Sequence, residues 1–217
     1  MDPSYKLWGL QTTNNHMNND SINIVLIDSF DSFTNNLKAC ILSEKNINLE
    51  TIQYNQISDH TDKIIQSDGI VISPGQGDPL SYVQYHKPLI EYYTQKPVLG
   101  VCLGHQILAL LFGGKTYNLS DPRHGRQASL KIKTDIDLFQ DVQPITKAGL
   151  YHSHAVGDVG SEFIVSAVDD QEVIMGIKHK KYPIYGIQFH LESFLTPSGN
   201  SIIKTFIELC KNHLKRN

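Results

Sequence analysis

The segment Gly100-Val101-Cys102-Leu103-Gly104-His105-Gln106 carries the clearest structural signal in the chain. An apolar run from Val98 to Val101 leads directly into Cys102, and residues 106–112 have the pattern of a helix. A cysteine between two glycines at a strand-to-helix corner predicts a sharp turn, the thiol counterpart of the serine nucleophile elbow. There the helix macrodipole favours a thiolate, and the N–H of Leu103 is free to donate to an oxyanion. We therefore predict that Cys102 is a nucleophile rather than a packed core cysteine.

Length, charge and cysteine content exclude several classes of protein. The 217 residues suffice for one domain with a full core, and a net charge of −3 argues against non-specific nucleic-acid binding. The apolar runs are far shorter than the roughly 18 residues of a membrane-spanning helix, and no signal peptide is visible. Three cysteines without framework spacing favour a reducing compartment. We expect a cytoplasmic protein without a membrane span, and we expect neither a metal nor a cofactor.

The first half of the chain alternates strands and helices. Residues 1–21 are polar and aperiodic, which predicts a flexible extension, and residues 22–217 are predicted to form one domain. The predicted elements are a strand at 22–28, a helix at 32–44 capped by Ser32, a strand at 49–54, a helix at 62–66, a strand at 69–73, a helix at 87–94 and the strand before Cys102. This alternation predicts a flavodoxin-like α/β fold, an open and mostly parallel sheet flanked by helices.

After Gly114 the pattern changes to strands with almost no helix between them. Strand-like segments lie at 115–118, 129–133, 150–153, 163–169, 173–179 and 184–189, with a hairpin turn at 169–172 and a last helix at 200–214. Antiparallel strands are therefore predicted to extend the parallel core in the C-terminal half. Ligands of open parallel sheets bind at the carboxyl ends of the strands, so segments 28–32, 73–79, 102–106 and 190–192 are predicted to converge on one crevice.

A general base and an orienting group are needed beside a nucleophilic thiol. Among ten histidines, His190 stands out because it ends an apolar strand and is followed two residues later by Glu192. Side chains two apart in an extended segment project to the same side, which predicts that Glu192 orients His190. The alternative is a strand-end histidine beside a solvated glutamate. His105, inside the turn, is predicted to be structural rather than a base.

The loop Ser73-Pro74-Gly75-Gln76-Gly77-Asp78-Pro79 is the candidate for a second oxyanion donor. Glycine has no side chain, so backbone N–H groups in such a loop can approach a substrate closely. An ordinary turn without function is the alternative, because a glycine-rich loop on its own is weak evidence.

Taken together, the motifs resemble those of the triad-type, or class I, glutamine amidotransferases. The shared motifs are Gly100–Gln106, the Pro-Gly-x-Gly loop at Pro74–Gly77 and the Phe-His-x-Glu-Ser segment at Phe189–Ser193. A narrower resemblance is to the glutaminase subunits of anthranilate synthase and of 4-amino-4-deoxychorismate (p-aminobenzoate) synthase. It is carried by Ile27–Leu37, His124-Gly125, Tyr151–Ser153 and Glu192–Thr196. The resemblance extends from Ile22 to the C-terminal helix.

This resemblance implies a glutaminase that works through a cysteinyl thioester. Cys102 would attack the side-chain amide of glutamine, His190 would shuttle protons, and Glu192 would orient His190. The backbone N–H groups of Gly75 and Leu103 would hold the oxyanion. The implied glutamine contacts are Gly75, Gln76, Gly77, Gln106, Ser153 and His154.

The resemblance also implies a partner. The ammonia would pass to a separate chorismate-using synthase subunit, which makes either anthranilate for tryptophan or aminodeoxychorismate for folate, and one glutaminase can serve both. Arg123-His124-Gly125-Arg126 is a candidate contact for that subunit, with a solvated basic loop as the alternative. Rival functions are a non-catalytic regulatory or binding member of the same fold, a γ-glutamyl peptide hydrolase and a GMP-synthase-type glutaminase.

Two positions depart from the pattern of the family. Gln76 and Leu191 stand where the family usually has proline. Each change restores a backbone N–H and frees φ, and each costs about 0.4–1 kcal/mol of loop preorganisation. We therefore expect a less rigid oxyanion loop and a less rigid triad segment.

Overall fold

Nine strands form one sheet within residues 21–215, the part of the chain that this computed structural model describes. They are β1 (Ile22–Ser29), β2 (Ile47–Gln53), β3 (Gly69–Gly75), β4 (Val98–Val101), β5 (Lys115–Ile132), β6 (Ile145–Asp158), β7 (Phe163–Asp169), β8 (Ile174–His179) and β9 (Ile184–Ile187). Their order across the sheet is β2-β1-β3-β4-β9-β8-β7-β5-β6. The last strand of the chain therefore lies in the middle of the sheet, beside β4, and the segments that follow β4 and β9 meet.

The sheet is parallel on one side of β9 and antiparallel on the other. Neighbouring strands from β2 to β9 run parallel. From β9 through β8, β7 and β5 to β6 they run antiparallel. Strands β3, β4 and β9 are buried along nearly their whole length, as expected of parallel strands covered on both faces. The predicted fold class is confirmed, including the antiparallel strands added in the C-terminal half.

Helices cover both faces of the sheet. They are α1 (Thr34–Leu42), α2 (Thr61–Gln66), α3 (Leu80–His86), α4 (Ile90–Tyr93), α5 (Leu103–Leu111) and α6 (Gly199–Leu214). Leu37 of α1 and Phe206 of α6 belong to one buried apolar cluster, together with alternate residues of β1. Ile107 of α5 and Tyr93 of α4 belong to a second cluster, with the intervening residues of β1. The alternation along β1 places the two clusters on opposite faces of the sheet.

The helix predicted at 87–94 is broken and begins earlier. Helix α3 ends at His86, a 3-10 turn spans Lys87–Leu89, and α4 follows. Pro88 explains the break because it has no N–H to donate to the preceding turn.

The first helix differs from its prediction at its start. Helix α1 begins at Thr34 with Phe33 in the capping position, so Ser32 is not the cap. No side chain caps the helix N–H groups at this end, but the Asp28 carboxylate is bound close to it, because its Oδ1 accepts hydrogen bonds of 2.9 Å from the Thr34 hydroxyl and from the Phe30 N–H. A carboxylate at the end of β1 thus ties the strand to the helix that follows.

The segments predicted as separate strands at 115–118 and 129–133 belong to one strand of 18 residues, β5. It pairs with the 14-residue β6, and the register shifts between Asn118 and Arg123 and again between His124 and Arg126. The polar residues between the two predicted strands resemble a loop in sequence. Residues 119–122 fall in the first register shift, and the pairing with β6 resumes at Arg123. This long ribbon carries the 151–154 segment to the active-site edge of the sheet.

Within residues 21–215, no helix is both long enough and apolar enough to cross a membrane. The predicted extension at 1–21 falls, except for Ser21, outside the described residues, so the extension and the domain boundary stay predictions.

Candidate active site

Cys102 lies on a sharp turn between β4 and α5. Its backbone has φ 53° and ψ −101°, a conformation that costs a non-glycine residue about 1–3 kcal/mol. The two flanking positions require glycine because a Cβ atom there would overlap neighbouring atoms. A Cβ at Gly100 would lie 2.5 Å from the carbonyl oxygen of Gly104, and one at Gly104 would lie 2.9 Å from Ile72 Cβ. The sharp turn predicted from the two glycines is thus present, and the thiol is held at the N-terminus of α5.

His190 and Glu192 form a buried pair just beyond β9. His190 Nδ1 lies 2.6 Å from Glu192 Oε1, and both side chains are almost completely inaccessible to solvent. Their contact does not come from an extended strand, since β9 ends at Ile187 and residues 191–192 form a turn. The prediction that the two side chains meet holds, but its reasoning from strand geometry was wrong.

The segment that carries this pair is anchored to β6. The His190 N–H donates 3.1 Å to the carbonyl of Gly149, and the Thr196 hydroxyl donates 2.7 Å to the carbonyl of His190. The same Thr196 oxygen accepts from the Gly149 N–H at 2.9 Å. Leu191, which stands where the family usually has proline, is buried in the core. Packing and hydrogen bonds thus supply rigidity that a proline would otherwise give.

The surroundings of His190 favour its charged form. Burial alone would lower the pKa of the ring, but interactions with Cys102 and with the Glu192 carboxylate outweigh burial and raise the pKa of His190 above its ordinary value. The ring also contacts Phe33 and Tyr151 edge-to-face, with ring centroids 5.2 and 5.0 Å away, and those two rings contact each other at 4.9 Å. The arrangement suits an imidazolium held beside a thiolate.

A cavity of about 440 Å³ opens in front of Cys102 and His190. This volume falls within the range of roughly 300–1,000 Å³ that is typical of small-molecule sites. The structure brings together in its lining eight of the ten residues named from the sequence: Gly75, Gln76, Gly77, Cys102, Gln106, Ser153, His154 and His190. Glu192 and Leu103 lie behind this lining, both buried.

The two residues expected to supply oxyanion donors are neighbours. Gly75 ends β3, and a Cβ added there would overlap the side chain of Leu103 at the start of α5. Only a glycine therefore fits at the end of β3 beside the nucleophile turn. The carbonyl of the next residue, Gln76, accepts a hydrogen bond of 2.8 Å from the hydroxyl of Tyr82 on α3.

Sequence reasoning did not name as catalytic or glutamine-binding six residues that also line the cavity: Asp31, Ser32, Phe33, His124, Tyr151 and His152. The sequence contained evidence for them, because all six lie in the motifs on which the narrower family resemblance is based. Phe33 and Tyr151 contact the His190 ring directly. His124 Nε2 lies 3.1 Å from the hydroxyl of Ser153.

Two other buried histidines near the site stay neutral. Burial lowers the pKa of His105 to about 3, as suits the structural role predicted for it. Burial likewise lowers the pKa of His152 to about 4, and His152 Nδ1 lies 2.8 Å from the carbonyl oxygen of His154. Neither residue competes with His190 as a proton acceptor.

The basic segment considered as a partner contact is only partly exposed. Arg123 is buried and forms an ion pair with the buried Asp169, and it also bonds Gln171 Oε1 at 2.5 Å. It is therefore neither part of a solvated loop nor available to a partner. Arg126 is exposed and pairs with Asp121 at 2.6 Å. Of that segment, His124, Gly125 and Arg126 remain accessible.

Comparison with known proteins identifies the family. The sequence model described as "Glutamine amidotransferase class-I" matches residues 25–209, most of the chain. This chain belongs to the class I glutamine amidotransferase family. The family assignment and the relatives below make it a glutamine amidotransferase enzyme.

Two relatives of this glutamine amidotransferase match along nearly their whole length. Anthranilate synthase component 2 of Thermococcus kodakarensis is 42% identical over 197 residues, covering 87% of this chain and 99% of that protein. The protein of the same name from Methanothermobacter thermautotrophicus is 36% identical, covering 86% and 98%. Aminodeoxychorismate synthase of Streptomyces griseus is 32% identical over 87% of this chain, which spans 26% of that longer protein.

Solved structures support the fold. A protein of Thermoplasma acidophilum, provisionally described as one of the subunits of a GMP synthase, superposes with a TM-score of 0.81 at 23% identity, covering 90% of this chain and 97% of that one. A glutamine amidotransferase from Thermotoga maritima superposes with a TM-score of 0.64 at 17% identity. No group of three or more His, Cys, Asp or Glu side chains within residues 21–215 is placed to hold a metal ion.

Proposed function

We propose that this chain is the glutaminase subunit of an anthranilate synthase and that Cys102, His190 and Glu192 are its catalytic triad. The observation that carries the proposal is the meeting of the Cys102 turn with the buried His190–Glu192 pair at one cavity. The names of the relatives that match at nearly full length support the pathway.

The first half of the reaction forms a thioester. The Cys102 sulfur, its proton taken by His190, attacks the side-chain amide carbon of glutamine, and the carbonyl electrons move to the oxygen. The N–H groups of Gly75 and Leu103 receive that oxyanion. The His190 imidazolium then protonates the amide nitrogen, the C–N bond breaks, and ammonia leaves.

The second half regenerates the enzyme. His190, now neutral, takes a proton from water, the hydroxide attacks the thioester carbon, and the oxyanion forms again at the same donors. The C–S bond breaks, glutamate leaves and the sulfur returns to its pair with His190. Glu192 holds the imidazole by Nδ1 throughout, so that Nε2 is the nitrogen that moves the protons.

Glutamine binding is assigned to the remaining predicted residues of the lining. The backbone of Gly75, Gln76 and Gly77 would follow the amide end of the substrate, and Ser153 and His154 would bind its amino-acid end. Gln106 uses both protons of its Nε2, toward His154 and toward Gln188. Its Oε1 is therefore the atom left to accept a hydrogen bond from the substrate's ammonium group.

The partner is a chorismate-using synthase subunit that consumes the ammonia, and we place the pair in the cytoplasm. The three cysteines are free thiols, which suits a reducing compartment. The aminodeoxychorismate pathway is the second candidate because a relative bears that name. Anthranilate synthase is preferred because relatives of this chain's own length carry that name.

Product identification tests the proposal. The purified chain is combined with candidate synthase subunits from the source cell, and the complex is given glutamine and chorismate. We expect glutamate and anthranilate in equal amounts, with no anthranilate when glutamine is omitted. Aminodeoxychorismate as the sole product would reassign the pathway. Complete absence of glutamate release by the complex would favour the non-catalytic rival.

A further inference from the structure

Gln188 lies directly behind the nucleophile. It follows β9, is completely buried, and has its backbone N–H bonded 2.9 Å to the carbonyl of Met175. Its side-chain Nε2 lies 3.7 Å from Cys102 Sγ. The mechanism above gives this residue no part.

The orientation of the Gln188 amide follows from its neighbours. A main-chain carbonyl can only accept, so the atom of Gln106 that lies 2.8 Å from the oxygen of His154 must be the nitrogen. That same nitrogen lies 2.9 Å from the Gln188 side chain, which must therefore present its oxygen, Oε1. The remaining end of the Gln188 amide, facing Cys102, is then the NH₂ group.

The carbonyl of His154 is itself fixed on β6. It accepts a second hydrogen bond from His152 Nδ1, because the ring of His152 is neutral and an N–H must face that carbonyl. A chain of hydrogen bonds thus runs from β6 through Gln106 and Gln188 to the sulfur. An amide flip of Gln188 would place its NH₂ group against that of Gln106, two donors facing each other, and its oxygen against the sulfur.

We propose that Gln188 is a positioning residue that donates a hydrogen bond to the Cys102 sulfur and stabilises its thiolate. The proposal rests on Cys102 being the nucleophile. A thiolate is a much stronger acceptor than a thiol, so the donor favours ionisation, and its burial away from water strengthens the bond. His190 moves the proton, whereas Gln188 holds the sulfur in place.

Alkylation of Cys102 by iodoacetamide tests the proposal because only the thiolate reacts. The full-length chain is treated between about pH 5 and pH 10, and the modified cysteine is identified by peptide mass spectrometry. Gln188→Met keeps the length of the side chain but removes the donor. We expect its alkylation at neutral pH to slow roughly 10-fold, as for loss of a hydrogen bond to a charged group. The midpoint of its pH profile should move up while the alkaline plateau stays unchanged.

A second variant and a control distinguish loss of the hydrogen bond from a folding defect. Gln188→Glu keeps the acceptor toward Gln106 and presents a carboxylate to the sulfur, so we expect a larger upward shift of the same midpoint. Gln84→Glu makes the same chemical change on the exposed face of α3, where the amide donates to the carbonyl of Ser81, and should leave the profile unchanged. Wild-type profiles for both Gln188 variants, with unchanged melting temperatures, would overturn the proposal.

The alkylation assay is separate from the test of the proposed function. A shifted profile in a chain that never releases glutamate would leave the sulfur contact standing and remove the glutaminase. A fully active glutaminase with an unshifted alkylation profile would leave the proposed function standing and exclude the hydrogen bond from Gln188 to the sulfur.

Discussion

The hydroxyl of Tyr82 ties α3 to the loop that follows β3, because it donates a 2.8 Å hydrogen bond to the main-chain carbonyl of Gln76. Gln76 is exposed and lines the cavity, at a position where the family usually has proline. One side-chain contact thus restrains a loop that the sequence predicts to be less rigid. The proposed oxyanion donor Gly75 is the adjacent residue.

Gln76→Pro should raise the basal glutaminase activity of the free subunit more than that of the complex. A stiffer loop keeps the Gly75 N–H aimed at the oxyanion, and loss of one such donor costs about 10²–10³ in turnover. Docking of the synthase subunit would otherwise supply that order. The measurement is glutamate release by both variants with and without the partner. A wild-type chain that is already as fast alone as in the complex would rule the idea out.

Tyr82→Phe tests the same loop by removing the hydroxyl that restrains it. Removing the hydroxyl should lower glutamine turnover by the free subunit several-fold, since a hydrogen bond of this kind contributes about 0.5–1.5 kcal/mol. Adding the partner should recover most of the loss. Tyr85→Phe on the same helix is the control, because Tyr85 contacts only the ring of Tyr54 among the contacts described for it. Equal effects of both substitutions would contradict the role of the loop.

Cys102→Ser should abolish glutamine hydrolysis and leave the fold unchanged. The hydroxyl is a far weaker nucleophile at neutral pH, while the turn itself keeps its backbone. Synthesis by the complex from added ammonia should survive, because it bypasses the glutaminase site. Cys40→Ser on α1 serves as the control, since its thiol is half-buried and burial raises its pKa. Near-wild-type glutamate release by Cys102→Ser would show that another residue is the nucleophile.

His190→Ala should lose about 10²–10⁴-fold or more in glutamine turnover, because the proton carrier disappears. Glu192→Gln should be milder, since an amide oxygen can still accept from His190 Nδ1 although the carboxylate charge is lost. Turnover numbers at saturating glutamine give the comparison. Equal and small losses in the two variants would be inconsistent with a triad.

The motifs near the elbow were sufficient to predict much of this site, and the reason is local. A sharp turn leaves no space for a side chain at positions 100 and 104. The two glycines could therefore be interpreted from sequence, and they identified Cys102 as the candidate nucleophile. The contact of His190 with Glu192 was predicted with the wrong geometry, because the turn after β9 depends on Thr196 and on Gly149 of a distant strand.

Longer-range features could not be deduced in this way. The role we give to Gln188 depends on Cys102 and Gln106, which lie 86 and 82 residues away in sequence. The β5–β6 ribbon was missed because its polar middle has no strand periodicity and is held by pairing with its partner strand. The break before α4, in contrast, could have been predicted from Pro88.

The folded chain should lose stability as the pH falls below neutrality. Burial lowers the pKa of His86 and of His105 to about 3, against an ordinary value near 6.5. Between these values the unfolded chain binds protons that the folded chain does not. Each ring therefore contributes stability that is complete above about pH 6.5 and decreases by up to about 1.4 kcal/mol per pH unit below it.

His86→Gln should make the protein less sensitive to acid. The substitution removes one proton-binding site and keeps a polar group near the hydroxyl of Tyr93, which His86 contacts at 2.7 Å. The measurement is the free energy of unfolding at about pH 7 and about pH 5, and the difference between the two should shrink. His60→Gln, at the end of a 3-10 turn and outside the core, is the control. An unchanged difference in His86→Gln would disagree with proton uptake at this ring.

The positive φ of Cys102 also bears on how such a protein can change over evolutionary time. At φ 53° a glycine would be free of strain, and the gain of about 1–3 kcal/mol would exceed the roughly 0.5–1 kcal/mol of chain entropy that glycine costs. A lineage released from hydrolysing glutamine could relieve this strain with a glycine, which would in turn leave the space of the buried thiol empty. The sulfur at this turn is thus accompanied by a backbone strain that a glycine would not have.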